Sequence, residues 1–299
     1  MHFKPYRTCI GSLVVVLMAG MALLLPGCEE DHLSIPPQIF FTSDTGYMDH
    51  DTSLAVGDRI RVGVSATSSG SNITFFQVSF DNGTRQILLD SGLNHPDLNY
   101  SLEIIKSSSQ TEKWTFLVMD RDRNKDSAII FLTKSDISHY GKIITYQDVM
   151  LGAQGNTSFG SFFSFTAAEV YDLDGAYMNQ SLIDMIYYFG QYEATLSSPN
   201  EAEAPSIFTG EHGVANWTIK NETRYDTTSL SPQAFDVAAD DSLLLAVYEP
   251  AAGKRKAKYV QPGMVISFIS PSGKIGLINI QETSPGTGGA LRFSIKIQE

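Results

Sequence analysis

Two short acidic stretches place oxygen-bearing side chains at the spacing that a calcium loop uses. In DRDRNKD the residues Asp120, Asp122, Asn124 and Asp126 alternate, and in DLDG Asp172 and Asp174 precede Gly175. A calcium loop draws its ligands from alternate positions and also needs a Gly at position six and a bidentate Glu at position twelve. Lys125 occupies the sixth position of the first stretch, and neither stretch carries that Glu. The competing readings are a hairpin turn for the first and a loop or helix start for the second. The six histidines (2, 32, 50, 95, 139 and 212) are scattered, and the chain has no zinc-protease, nucleophile-elbow, phosphate-loop or dinucleotide motif. The motifs therefore point to no cofactor, no metal centre and no catalytic set.

Aromatic rings are the other chemistry on offer, because sugars stack on exposed Trp and Tyr faces. Tyr187, Tyr192, Tyr225 and Trp217 all fall in the C-terminal half. Trp217, set between Asn216 and Thr218, is the leading candidate for a ligand contact. In MIYYFG alternate rings must point inward, so core packing competes with binding there. Trp114, within KWTFLV, is expected in a core.

The chain has only two cysteines, Cys9 and Cys28. A short basic head (His2, Lys4, Arg7) leads into the uncharged run Ile10 to Leu25. At 16 residues the run is shorter than the roughly 20 that a membrane-spanning helix needs, and it suits a secretory signal. It ends Leu25-Pro26-Gly27-Cys28, followed at once by Glu29, Glu30 and Asp31. This resembles the lipobox of bacterial lipoproteins, with Pro26 where a smaller residue is usual. The resemblance implies cleavage after residue 27 and acylation of Cys28, with acyl chains anchored in the outer membrane. The acidic trio resembles the surface-export signal of Bacteroidetes-type lipoproteins; a merely solvated tether over 28–35 is the plainer alternative.

Loss of residues 1–27 removes Lys4 and Arg7 and no acid, taking the formal charge from −12 to about −14. So acidic a chain has no electrostatic attraction to nucleic acid or to anionic headgroups. It also retains no thiol for a disulfide, a nucleophile or a metal site.

The elements that must hold these residues are mostly strands. From 36 to 134, seven apolar runs are separated by turn-rich stretches at the spacing of a β-sandwich. In RIRVGVSA, Ile60, Val62 and Val64 alternate with Arg59, Arg61 and Gly63, the period of a strand with one wet face. The fold class expected is mainly β: an immunoglobulin-like sandwich over 36–134, a polar linker over 135–147, and a β-rich domain over 148–299 with one or two short helices. Ser231 followed by Pro232 marks a helix start within 229–251. The segments 264–270, 275–282 and 290–299 read as an antiparallel meander, with Leu291, Phe293, Ile295 and Ile297 on its apolar side.

The order of lipobox, acidic tether, IPPQIFF, VGDRIRVGV and the FLVMDRDRNKDSAIIFL hairpin resembles Bacteroidetes surface lipoproteins of the starch-utilisation E and F layout. In these the first domain is mostly a spacer. Residues 148–299 resemble a domain of uncharacterised lipoproteins from the same group, which brings no residue roles. The resemblance implies a non-catalytic accessory protein that holds a glycan or nutrient for an outer-membrane import complex. The alternative is a structural or adhesive protein that engages other proteins. The first predicts an aromatic platform or cleft on the second domain, the second an apolar patch or an open sheet edge.

Overall fold

A computed structural model describes residues 35–137, 139–250 and 252–299. Cys28, the 1–27 signal and the tether up to residue 34 lie outside the described residues. No helix among those described is long and apolar enough to cross a membrane.

The first half is a sandwich of eight strands: β1 (Gln38–Phe41), β2 (Thr52–Leu54), β3 (Arg59–Thr67), β4 (Ile73–Asp81), β5 (Arg85–His95), β6 (Asp97–Ile105), β7 (Thr111–Asp120) and β8 (Lys125–Lys134). One sheet runs β1-β3-β6 and the other β2-β8-β7-β4-β5, antiparallel throughout except where β2 lies parallel to β8. This is an immunoglobulin-like arrangement in which the leading strands are divided between the two sheets. All seven expected strands form; β2, only three residues long, carries too little pattern to be seen in sequence. Alternation decides the faces. Along β7, Trp114, Phe116 and Val118 turn inward to meet Val62, Val64, Phe76, Val78, Phe80 and Ile130. Trp114 is buried, and its ring lies 5.0 Å from that of Phe80.

The second half contains β9 (Ile143–Gly152), β10 (Phe162–Ser164), β11 (Glu169–Tyr171), α1 (Leu173–Met178), β12 (Met185–Phe189), β13 (Ala194–Ser197), α2 (Ala204–Ile207), β14 (Arg224–Thr227), α3 (Pro232–Val237), α4 (Ser242–Ala246), β15 (Lys256–Lys258), β16 (Val265–Ile269), β17 (Ile275–Thr283) and β18 (Ala290–Gln298). Two five-stranded antiparallel sheets, β11-β10-β12-β13-β15 and β14-β16-β17-β18-β9, face each other. Between them lie Phe163, Phe165, Met185, Tyr187, Leu196, Phe268, Ile278, Phe293 and Ile295.

Both outer faces are covered as well. Over the first sheet, α1, α2 and their connections supply Ala176, Phe208, Val214 and Trp217 against Phe162, Ile186 and Tyr188. Over the second, α3 and α4 supply Phe235, Leu244 and Leu245 against Val265, Ile275 and Leu277. Ser231 caps α3 by accepting the Ala234 N–H at 3.2 Å, with Pro232 at the first position. The helical stretch then breaks at Ala238 and restarts at Ser242, giving two helices where the pattern suggested one.

The expected linker over 135–147 is shorter than its polarity implied, since β9 starts at Ile143 and pairs along its length with β18. The two halves are also packed together. Val56 and Ile105 of the first sandwich join the cluster beneath α3 and α4. Arg59 Nη2 donates to the Gly273 carbonyl at 2.6 Å and Asn82 Nδ2 to Glu249 Oε2 at 3.1 Å. Beside this joint, Lys106 and Glu112 form a fully buried ion pair at 2.7 Å.

Candidate functional site

The β12–β13 hairpin carries Tyr192 at its tip. Its turn is closed by the Gly190 N–H donating to the Glu193 carbonyl at 2.7 Å. Glu193 is buried yet ionised: one carboxylate oxygen accepts the Tyr192 N–H at 3.0 Å, and the other meets the Lys258 ammonium at 2.8 Å. The hydrogen bond from Lys258 holds the Glu193 carboxyl below the usual range and, reciprocally, raises the Lys258 ammonium. A Cβ at Gly190 would lie 3.1 Å from Glu193 Oε1, so the glycine leaves room for that carboxylate. The tip of one hairpin is thereby tied to the end of β15.

Tyr259 follows Lys258 directly, with φ at +58°, a left-handed conformation that is a genuine outlier for a bulky residue. Both neighbours impose it. Lys258 is held by Glu193, and Val260 is buried with its N–H donated to the Ala194 carbonyl at 3.0 Å. The reversal between them throws the Tyr259 ring outward. Tyr192 is 78% exposed and Tyr259 65%, and both line one open cleft of about 240 Å³ with Glu193, Gln261, Thr283 and Pro285. Gln191 Nε2 donates to the Tyr192 hydroxyl at 2.9 Å, which orients it. Two wet phenol faces beside an amide and a hydroxyl can stack on the C–H face of a sugar while bonding its hydroxyls.

The other three aromatic candidates do not present a face. Tyr187 points between the two sheets, where burial pushes its hydroxyl up to about 12. Tyr225 is buried in the same core, and its hydroxyl donates to the Ser197 carbonyl at 3.3 Å. Trp217, the leading candidate in sequence, is 4% exposed; its ring lies 5.5 Å from Phe162 and its Nε1–H donates to the His212 carbonyl at 3.0 Å. The stretch around it is polar because it forms a lid over the first sheet, with the indole turned inward. Tyr259 was missed, since the run KRKAKYV carries no apolar period and its signal is a backbone angle.

The acidic stretches serve the fold. DRDRNKD is the β7–β8 hairpin: buried Asp120 accepts the Asn124 N–H at 2.8 Å and its Nδ2 at 3.0 Å, and Asp126 accepts the Ile39 N–H at 3.0 Å. Asp122 lies in the turn of the same hairpin. Asp172 caps α1 through the Gly175 N–H at 2.8 Å, and Asp174 meets His212 at 2.8 Å. Among the described residues no group of three or more His, Cys, Asp or Glu is placed to hold a metal ion. Compared with known proteins, the chain matches no family model and no curated sequence.

Proposed function

We propose that this chain is a lipid-anchored surface protein whose second sandwich holds a glycan at the Tyr192–Tyr259 cleft without cleaving it. The observation that carries this reading is the pair of exposed tyrosines on one cleft, one of them forced outward by a left-handed backbone. Strain of this kind costs about 1–3 kcal/mol and persists where the surroundings impose it, which is why it clusters at ligand sites. The cleft's one carboxylate, Glu193, is engaged by Lys258, whereas glycoside hydrolysis uses two carboxyl groups flanking the bond. The anchor rests on the sequence alone: Leu25-Pro26-Gly27-Cys28 and the acidic trio behind it.

A glycan array probed with residues 32–299 tests the binding. Retention of a host or dietary polysaccharide, lost in a Tyr192→Ala/Tyr259→Ala variant that melts like the parent, supports the reading; no retained sugar sinks it. Metabolic labelling with a tagged fatty acid, absent from Cys28→Ser, tests the anchor. A second reading, as an adhesive surface protein, draws on β5, which ends its sheet and leaves Ile87 52% exposed along an 11-residue edge. Concentration-dependent self-association abolished by Ile87→Lys would favour it.

A further inference from the structure

A different cleft opens at the opposite end of the second sandwich. β12 begins beside it, at Met185, and ends beside the tyrosines, five residues or roughly 17 Å away. Its volume is about 370 Å³, and its walls carry Tyr146, Asp184, Asn221, Ser272, Lys274 and Gln298. Asp184 is more than nine-tenths buried there. One of its oxygens accepts the Phe165 N–H at 2.9 Å, and the other contacts Asn221 Nδ2 at 3.2 Å. That second contact is undersupplied: the same Nδ2 also donates to the Ser181 carbonyl at 3.0 Å and the Ile183 carbonyl at 2.9 Å, so three acceptors share two hydrogens. Asp184 has no cation partner among the described residues, and burial pushes its carboxyl up to about 6. Lys274, on the β16–β17 turn, lines the same cleft and likewise makes no ion pair among the described residues.

A carboxyl and an ammonium that share a cavity without pairing leave two opposite charges to be matched from outside. We propose that this cleft is a second binding site, for a small zwitterion of the amino-acid or short-peptide type, whose ammonium meets Asp184 and whose carboxylate meets Lys274. The neutral polar groups on the same walls, Ser272 and Gln298, suit the amide of a dipeptide. The titratable groups facing Asp184 are Lys274, Tyr146 and Tyr225; burial raises both tyrosines, leaving them neutral across the working range. An arriving ammonium favours the ionised carboxylate. Affinity should therefore rise about tenfold from about pH 5 to about pH 7.5 as Asp184 deprotonates.

Calorimetric titration of residues 32–299 with L-alanyl-L-alanine, L-alanine, methylamine and acetate is the test. Binding of either zwitterion, with the dipeptide and the free amino acid compared directly, and a loss of about tenfold or more in both Asp184→Asn and Lys274→Met, is the expected result. Tyr192→Ala/Tyr259→Ala should bind the zwitterion as the parent does, so failure here and failure of the glycan site are read separately. No heat from either zwitterion at millimolar concentration overturns the proposal. So does methylamine or acetate binding as tightly as the dipeptide, or unchanged affinity in both single variants whose melting matches the parent.

Discussion

Replacing Lys106 by Met should destabilise the first sandwich by about 3–5 kcal/mol, the range for removing one member of a buried ion pair. The geometry supports the upper part of that range. Both side chains are wholly excluded from water. All three ammonium hydrogens are used, on the Ser107 carbonyl at 2.9 Å, the Ser109 carbonyl at 2.6 Å and Glu112 Oε1 at 2.7 Å. The Glu112 carboxylate in turn accepts from the Ser107 N–H and hydroxyl at 2.8 and 2.7 Å and from Trp114 Nε1 at 3.2 Å. Removing the lysine leaves that carboxylate charged, buried and short of a cation. Removing both, in Lys106→Met/Glu112→Leu, leaves only neutral groups without these partners, the Ser107 and Ser109 carbonyls and the Ser107 N–H, Ser107 hydroxyl and Trp114 Nε1–H, at about 1–3 kcal/mol each. The double variant should therefore lose less than the two single losses combined, with a coupling of about 2 kcal/mol or more. Urea unfolding in a Trp217→Phe background, followed by the remaining Trp114 fluorescence, measures all three variants. A Lys106→Met variant within about 1 kcal/mol of the parent, or strict additivity in the cycle, would refute the claim that the pair acts as one closed network.

Further outcomes follow from other parts of the molecule. Asp184→Asn should flatten the pH dependence of stability. The folded carboxyl titrates near 6 and the unfolded one near 3.8, so the parent is favoured below about pH 4 and loses about 2–3 kcal/mol as pH rises from 4 through 6, a loss absent from the variant and readable in melts at pH 4 and 8. Gly276→Ala forces a Cβ onto the Phe268 ring and should cost about 1–3 kcal/mol, seen as a lowered melting temperature. Trp217→Ala should cost about 3–5 kcal/mol while leaving glycan retention unchanged, which separates a core role from a ligand contact. Tyr187→Phe removes a buried hydroxyl that has no partner among the described residues, so it should be neutral or stabilising by about 1 kcal/mol in urea.

The C-terminal meander was legible because its period is local. Leu291, Phe293, Ile295 and Ile297 alternate within nine residues, and all four are buried where the pattern put them. Their opposite face was not legible. Ser294 and Lys296 read as wet but are buried: the Ser294 hydroxyl accepts the Asp148 N–H and Gln281 Nε2 at 3.3 and 3.1 Å, and Lys296 donates to the Asp236 and Ala238 carbonyls at 2.9 and 2.7 Å, capping α3, a helix some sixty residues earlier. Trp217 failed for the same reason, since a polar neighbourhood says nothing about which way one ring turns. Tyr192 was named in the sequence only as one aromatic among several, with nothing to set it apart from the buried Tyr187 and Tyr225. Its partner Tyr259 depends on Glu193, sixty-six residues away, gripping Lys258, and a constraint of that range leaves no mark on the residues it strains.

The pairing of β9 with β18 has a consequence for how the chain comes to be folded. β18 lies between β17 and β9 in its sheet, and Ile143 pairs with Gln298, so the first strand of the second sandwich waits for a partner about 150 residues further along. Until β18 is present, β9 has no strand to pair with in its sheet. Closing a loop of that span costs little extra free energy but much time. The first sandwich, whose partners all lie within residues 38–134, can be complete long before. The second can be sealed only once β18 has been made, and loss of β18 would leave β17 and β9 each with an unpaired edge.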